Sequence, residues 1–291
     1  MSLVANTVEG SIASGAVYDL VGVGFVVLFR ASKVLSFCQG AFMVVGAFVF
    51  YDATTKWGID FVPSLLLSAA VISLASTLIY FGVFSRLASR DAFATSVATI
   101  GLAGVVQAYA AIQFGTTPHT LTNVVSSRAY HLLGAAIPTA DIVAVAAATI
   151  LVVLLWVLLR ATLVGRRMEA VADNGSLAIH LGVNAGRSSA VAWGIAGATA
   201  AVAGGIFALR ASVDPVGLSN AGLFAFPAII LGGLDSIGGV VIGGLLVAGV
   251  QNAVQAAFGS GWVTIASFAL MLGILGIRPS GFFGKPDVVR L

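Results

Sequence analysis

Charge is scarce in this sequence. Only 9% of its 291 residues are Asp, Glu, Lys or Arg, while 59% are apolar; ordinary soluble domains carry roughly 25% and 45–50%. So large an apolar share cannot be buried in one water-soluble core, because such cores stop growing near this chain length. Lipid as the solvent resolves the conflict. Cysteine occurs once, at Cys38, which excludes an internal disulfide. Basic runs are missing too. The 14 basic residues stand singly or in pairs at the ends of apolar segments, which excludes a nucleic-acid surface and suits membrane orientation. Residues 1–8 hold no Lys or Arg, so the first apolar run lacks the basic flank of a cleavable signal peptide. Enzyme signatures are absent: no GxxxxGK[ST] phosphate loop, no HExxH pair and no GxSxG elbow. His119, His131 and His180 have no second ligand at metal spacing. The expectation is a chain that is not an enzyme, needs no cofactor or metal, and cannot hydrolyse ATP alone.

What is present is hydrocarbon in lengths of about 20 residues, the span a helix needs to cross a bilayer. Such segments run near 9–29, 34–52, 62–85, 91–114, 139–164, 188–209, 216–234, 239–257 and 262–277. The fold expected is therefore all-α, a polytopic membrane protein with about 8–9 transmembrane helices. The weak member is 216–234, which contains Ser219, Asn220 and Pro227; a Gly-rich broken or re-entrant segment is expected near 216–239. Charge counting favours nine crossings with the N-terminus outside. Arg30, Lys33, Arg86, Arg90, Arg160, Arg166, Arg167, Arg187, Arg278, Lys285 and Arg290 then lie inside, against Lys56, Arg128 and Arg210 outside, an 11:3 split that obeys the positive-inside rule. A re-entrant 216–234 would reduce it to 8:6.

Small residues set the expected packing. Ala196, Ala200, Gly204 and Ala208 recur on one helical face, and Gly239 with Gly243 makes a small-xxx-small pair, the spacing that lets membrane helices approach closely. Gly232 and Gly233 sit beside Asp235 at a polar break, tolerated at membrane depth only inside protein or beside a water-filled cavity. Asp19 lies mid-span, where a carboxylate lines a pathway, holds a cationic or amine group, or is bonded internally, to Tyr18 or a neighbouring helix. Ser36, Cys38, Gln39 and Gly40 form a polar patch that is either an entrance or an interfacial cap. Gln107, Asn252 and Gln255 fit interhelical hydrogen bonding.

One organised polar surface interrupts the hydrocarbon: the 22 residues from Arg166 to Arg187. Met168, Val171 and Ala172 share one helical face, with Glu169 and Asp173 on another. Asn174–Gly175 breaks that helix. Ser176 is placed to cap a short helix over Leu177–Leu181, stopped by Gly182. Leu177, Ile179, Leu181 and Val183 supply an apolar face, for headgroups or for a cytosolic protein.

At these residues the chain resembles the shorter permease of branched-chain amino-acid ABC importers, over essentially its whole length. The resemblance is carried by MEAVADNGSLAIHLGVNAGR (Met168 to Arg187), by AFPAIILGGLDSIGGVVIGGLLVAG (Ala225 to Gly249) and by RPSGFFGKPDV (Arg278 to Val288). It implies one permease domain over 1–291 with a cytoplasmic coupling loop at 166–187, whose Ala170, Ala172, Ala178, Leu181 and Gly182 hold the family's places. Glu169, Ser176 and Leu177 complete the expected ATPase contact. It implies a multi-pass location in the bacterial plasma (inner) membrane. The implied partners are a second permease subunit, two cytosolic ATP-binding subunits, an extracytoplasmic solute-binding protein and the lipid bilayer. Two departures bear on cargo. Where the family commonly shows an Asn-Phe-Ala-His-Gly-Glu-like run, this chain has Ser36-Phe37-Cys38-Gln39-Gly40-Ala41, and Asp19 replaces a small apolar residue. The candidate pathway residues are thus Asp19, Ser36, Gln39, Gly232, Gly233 and Asp235, and the cargo is a branched-chain amino acid, another small amino acid, urea or a short amide. A self-sufficient secondary transporter or channel is the alternative, with Asp19 as its deep carboxylate.

Overall fold

A computed structural model describes residues 2–87, 92–121, 129–132, 135–278 and 281–284. Of the charges counted above, Arg90, Arg128, Lys285 and Arg290 lie outside the described residues, as do Pro279, Ser280 and 285–288 of the closing motif. The chain is a helical bundle: α1 (Ser2–Ser32), α2 (Gln39–Thr55), α3 (Phe61–Ile79), a π turn (Tyr80–Phe84) leading into the single turn α4 (Ser85–Leu87), α5 (Ala92–Phe114), α6 (Thr139–Ala161), α7 (Leu163–Asp173), α8 (Gly175–His180), α9 (Ala185–Arg210), α10 (Pro215–Gly232), α11 (Ile237–Phe258) and α12 (Val263–Ile277). A two-stranded antiparallel hairpin, β1 (Ala129–Leu132) with β2 (Ala135–Pro138), pairs Tyr130 with Ile137 and leads directly into α6.

Eight helical stretches among the described residues are long and apolar enough to cross a membrane. α1 and α9 are largely buried within the bundle, whereas α5 and α12 are mostly exposed. The exposed residues of α5 include Phe93, Ile100, Val105 and Ile112. Such apolar outer faces suit lipid or another membrane subunit rather than water.

α1 serves as a ruler for depth. Ser14 Oγ accepts a hydrogen bond from Arg210 Nη1 at 3.3 Å, and Arg210 is ion-paired with Asp141. At the other end Lys33 meets Asp235 at 3.6 Å. From Ser14 to Ser32 the helix rises about 27 Å at 1.5 Å per residue, close to the hydrocarbon thickness of a bilayer. α10 starts five residues after Arg210 and ends three before Asp235, so it runs from one polar layer to the other. The 216–239 segment is accordingly broken, at 233–236 between α10 and α11, but not re-entrant. Pro227 is accommodated inside α10.

The helix expected over 34–52 is corrected. Lys33 adopts φ 53°, the left-handed region that L-residues visit rarely, and ends α1 there. The chain continues without helix until Gln39. Side chains take over the hydrogen bonding that a helix would have supplied: Phe37 N donates to Thr99 Oγ1 at 3.0 Å, and Cys38 Sγ donates to Thr99 O at 3.1 Å. α2 is thus a short helix that starts inside the bundle.

Small residues do place the helices. A Cβ on Gly46 would overlap Ala201, one on Gly204 would strike Met43 O, and one on Gly243 would strike Ala228 O. Helices α2 and α9, and α10 and α11, therefore touch backbone to backbone.

Candidate functional site

The start of α2 borders a cavity of about 100 Å³ between α1, α2, α5 and α10. Val21, Phe25, Phe226 and Ile229 supply apolar wall, while Ser36, Gln39, Gln107 and Ser219 supply polar groups. Gln39 is 4% exposed, and neither its Nε2 nor its Oε1 has a hydrogen-bond partner among the described residues. An unpartnered buried amide costs about 1–3 kcal/mol per group, so the Gln39 amide calls for a partner within the cavity, a water or a solute. Ser36 Oγ accepts from Cys38 N at 3.4 Å. Val21 and Phe25 fall between Ser14 and Lys33 on α1, which puts the cavity near mid-depth. The backbones of α2 and α10 meet at its edge, where a Cβ on Gly222 would overlap Gly40 Cα.

Ser36 and Gln39 are thus brought together; the remaining candidates are not. Asp19 is 6% exposed and packed against Gly244, and its Oδ1 has no hydrogen-bond partner among the described residues. It lies at the α1–α11 contact, away from the residues lining the cavity. Tyr18 donates to Gln251 Oε1 at 2.6 Å, and Gln251 Nε2 donates to Ser267 Oγ at 2.8 Å. The internal bond between Tyr18 and Asp19 is therefore not made. Gly232 and Gly233 do not line the Gln39 cavity. They seat the C-terminal turn, in which Phe282 N donates to Leu231 O at 2.8 Å and Phe283 N to Gly232 O at 3.2 Å; Gly233 has φ 97°, a conformation that favours glycine. Asp235 pairs with Lys33 and borders a cavity of about 210 Å³ shared with Arg30, Trp156 and Arg160.

The polar segment forms two helices, α7 and α8. Its cap lies two residues earlier than expected: Asn174 Oδ1, not Ser176, accepts from Leu177 N at 3.0 Å. The Asn side chain is long enough to reach the third helical N–H, and the breaker pair thereby becomes a cap. Gly182 ends α8 with φ 83°, and Val183 N donates to Ala178 O at 2.9 Å, the closing bond of a left-handed helix terminus. Ala178 is buried and anchors the turn, while Leu177, Ile179 and Leu181 are 56%, 58% and 75% exposed. Glu169, Ala170, Ser176 and Gly182 are exposed as well. Val171 and Ala172 of α7 border a cavity of about 520 Å³ with Lys33, Tyr80 and Trp193, at the Lys33 end of the bundle.

Three features escaped the sequence. Gln107, expected as interhelical glue, lines the Gln39 cavity; its only signal was a polar residue in an apolar span. Gln255 is exposed, whereas Asn252 does bond across helices, to Ser11 at 3.3 Å. The Asp141–Arg210 pair joins α6 to α9 across 69 positions, a separation that local pattern cannot bridge.

Residues 7–275 match the family model described as branched-chain amino acid transport system / permease component. Among curated proteins, the high-affinity branched-chain amino acid transport system permease protein LivH of Salmonella typhimurium is 28% identical over 95% of this chain and 94% of the relative. The corresponding permease protein BraD of Pseudomonas aeruginosa is 26% identical, with 95% and 94% covered. LivH of Escherichia coli is likewise 26% identical, over 95% and 94%.

Proposed function

The chain belongs to the family of branched-chain amino acid transport permease components, and on that premise we propose that it is the membrane-spanning subunit of an ATP-binding-cassette importer in a bacterial plasma membrane. All 291 residues form one permease domain that carries out no covalent chemistry. It pairs with a second permease subunit, with two cytosolic ATP-binding subunits and with an extracytoplasmic solute-binding protein. The cargo is a small amino acid, a branched-chain one first among them.

The observation that carries this reading is the exposed, rigidly capped α8 turn. Three large apolar side chains, Leu177, Ile179 and Leu181, stand out around it, on the side where Arg166, Arg167 and Arg187 place the cytoplasm. Such a patch suits docking to a soluble partner. α7 packs against α1, α6 and α9, so a shift of α7–α8 on ATP binding moves the helices that frame the bundle, the rigid-body route to alternating access. The Ser36–Gln39 cavity lies on the pathway, and the larger cavity beside Val171 and Lys33 is its cytoplasmic vestibule. The secondary-transporter alternative loses ground here, because Asp19 borders neither cavity.

The test is Leu181→Glu and Gly182→Leu in the assembled transporter. Both are expected to insert normally yet to lose co-purification with the ATP-binding subunits and ATP-driven uptake of radiolabelled L-leucine. Normal uptake and co-purification in both variants would remove α8 as the docking element.

A further inference from the structure

We infer that the N-terminus of α2 holds the carboxylate of an amino-acid cargo, with the Gln39 amide completing the site. This rests on the permease reading above and names the chemistry by which the pathway recognises its cargo.

Three observations converge on it. α2 is a 17-residue helix whose first residues, Gln39, Gly40 and Ala41, line the cavity at mid-depth. The first-turn N–H groups of any helix lack intrahelical acceptors, and no side chain caps α2; the first main-chain bond at its start runs from Phe42 N to Cys38 O at 2.9 Å. The helix therefore offers free N–H groups and the positive end of its dipole to the cavity, the arrangement that binds anions. Independently, Gln39 is buried with both amide atoms unpartnered and lines the same space. Finally, the residues lining the cavity include no Asp, Glu, Lys or Arg. An anionic group entering it meets no rival charge, and the low dielectric strengthens its attraction to the helix terminus.

The complementary parts of an amino acid follow. Its carboxylate accepts from the α2 N–H groups and from Gln39 Nε2. Its ammonium donates to neutral acceptors, Gln39 Oε1 and the Gln107 side chain. Its side chain lies against Phe25, Phe226 and Ile229. The cavity of about 100 Å³ is smaller than one that holds benzene, roughly 150 Å³, so a branched-chain amino acid, with more heavy atoms than benzene, is taken up only as α2 and α10 part around it, and a large aromatic one is excluded. Discontinuous helices that present a terminus to a substrate carboxylate are a general solution in membranes, where a charged side chain is expensive.

The experiment reads occupancy alone, without ATP. Ala103 lines the cavity from α5, so an A103C thiol reports on it; Cys38→Ala removes the native thiol. The full-length chain in membrane vesicles is alkylated with N-ethylmaleimide in the presence of excess L-valine or L-valinamide. L-Valine is expected to slow alkylation by about threefold or more, as substantial occupancy requires, and L-valinamide, which lacks the carboxylate, is expected not to. Gln39→Leu should abolish the protection, while Gln39→Asn, which keeps the amide, should retain part of it. Equal protection by L-valine and L-valinamide overturns the inference. So does an absence of protection by L-valine, L-leucine and L-alanine alike, or full protection in Gln39→Leu. None of these outcomes touches the importer reading, which fails separately if ATP-driven uptake is missing.

Discussion

Gly46→Ala is a substitution of one methyl group whose effect is set by what lies opposite. A Cβ at Gly46 would overlap Ala201 Cα, stand 2.7 Å from Ala201 Cβ and lie 3.3 Å from its carbonyl carbon. Carbon atoms pack at roughly 3.5–4.0 Å, so α2 and α9 must part by about 1 Å. Overpacking of this kind costs about 1–3 kcal/mol. The same movement stretches the 2.7 Å bond from Ser68 Oγ to Gly46 O, and such bonds in membranes average about 0.6 kcal/mol. Replacing a helical Gly by Ala offsets about 0.5–1 kcal/mol of this. The net expectation is a loss of about 1–3 kcal/mol. Gly101→Ala is the control: nothing lies within 4 Å of its Cβ position, so only the helical gain, up to about 1 kcal/mol, remains. Reversible unfolding of the purified chain in mixed micelles measures both. Equal shifts in the two variants would refute the claim that α2 and α9 are held at backbone contact.

Two further expectations concern polar contacts. Asp141 and Arg210 are paired with 12% and 16% of their side chains exposed; Asp141→Leu or Arg210→Met alone should cost about 3–5 kcal/mol, whereas the double variant should recover most of that, as a double-mutant cycle in micelles will register. Asn174→Ala should loosen α8 by about 1 kcal/mol, seen as faster amide exchange over 175–180 and slower ATP-driven uptake with the complex still assembled.

Much of the architecture was legible in residue order because membranes impose a local rule. A helix must be apolar for about 20 residues, and that rule located α3, α5, α6, α9 and α11 to within a few positions. The polar segment was equally legible, since α7, α8 and the Gly182 stop follow from short-range periodicity and turn chemistry. Its cap is Asn174 and not Ser176; both are good capping residues, and only the backbone angles choose between them. α2 is shorter than its apolar run for a related reason: Val34 to Phe37 are as apolar as a helix requires, and the Thr99 contacts that hold this stretch out of one come from a helix 61 and 62 positions further on.

The sequence by itself determined that the chain lives in lipid, that its helices pack through small residues and that one organised polar segment interrupts the hydrocarbon, because composition and period are local properties. Only the tertiary structure decided which polar residues matter together. Ser36, Gln39, Gln107 and Ser219 come from three separate helices and a linker, and they meet around one cavity because Gly40 and Gly222 allow α2 and α10 to touch. Asp19, the most conspicuous residue in the sequence, is left against Gly244 instead, since the turn of α1 that carries it faces α11.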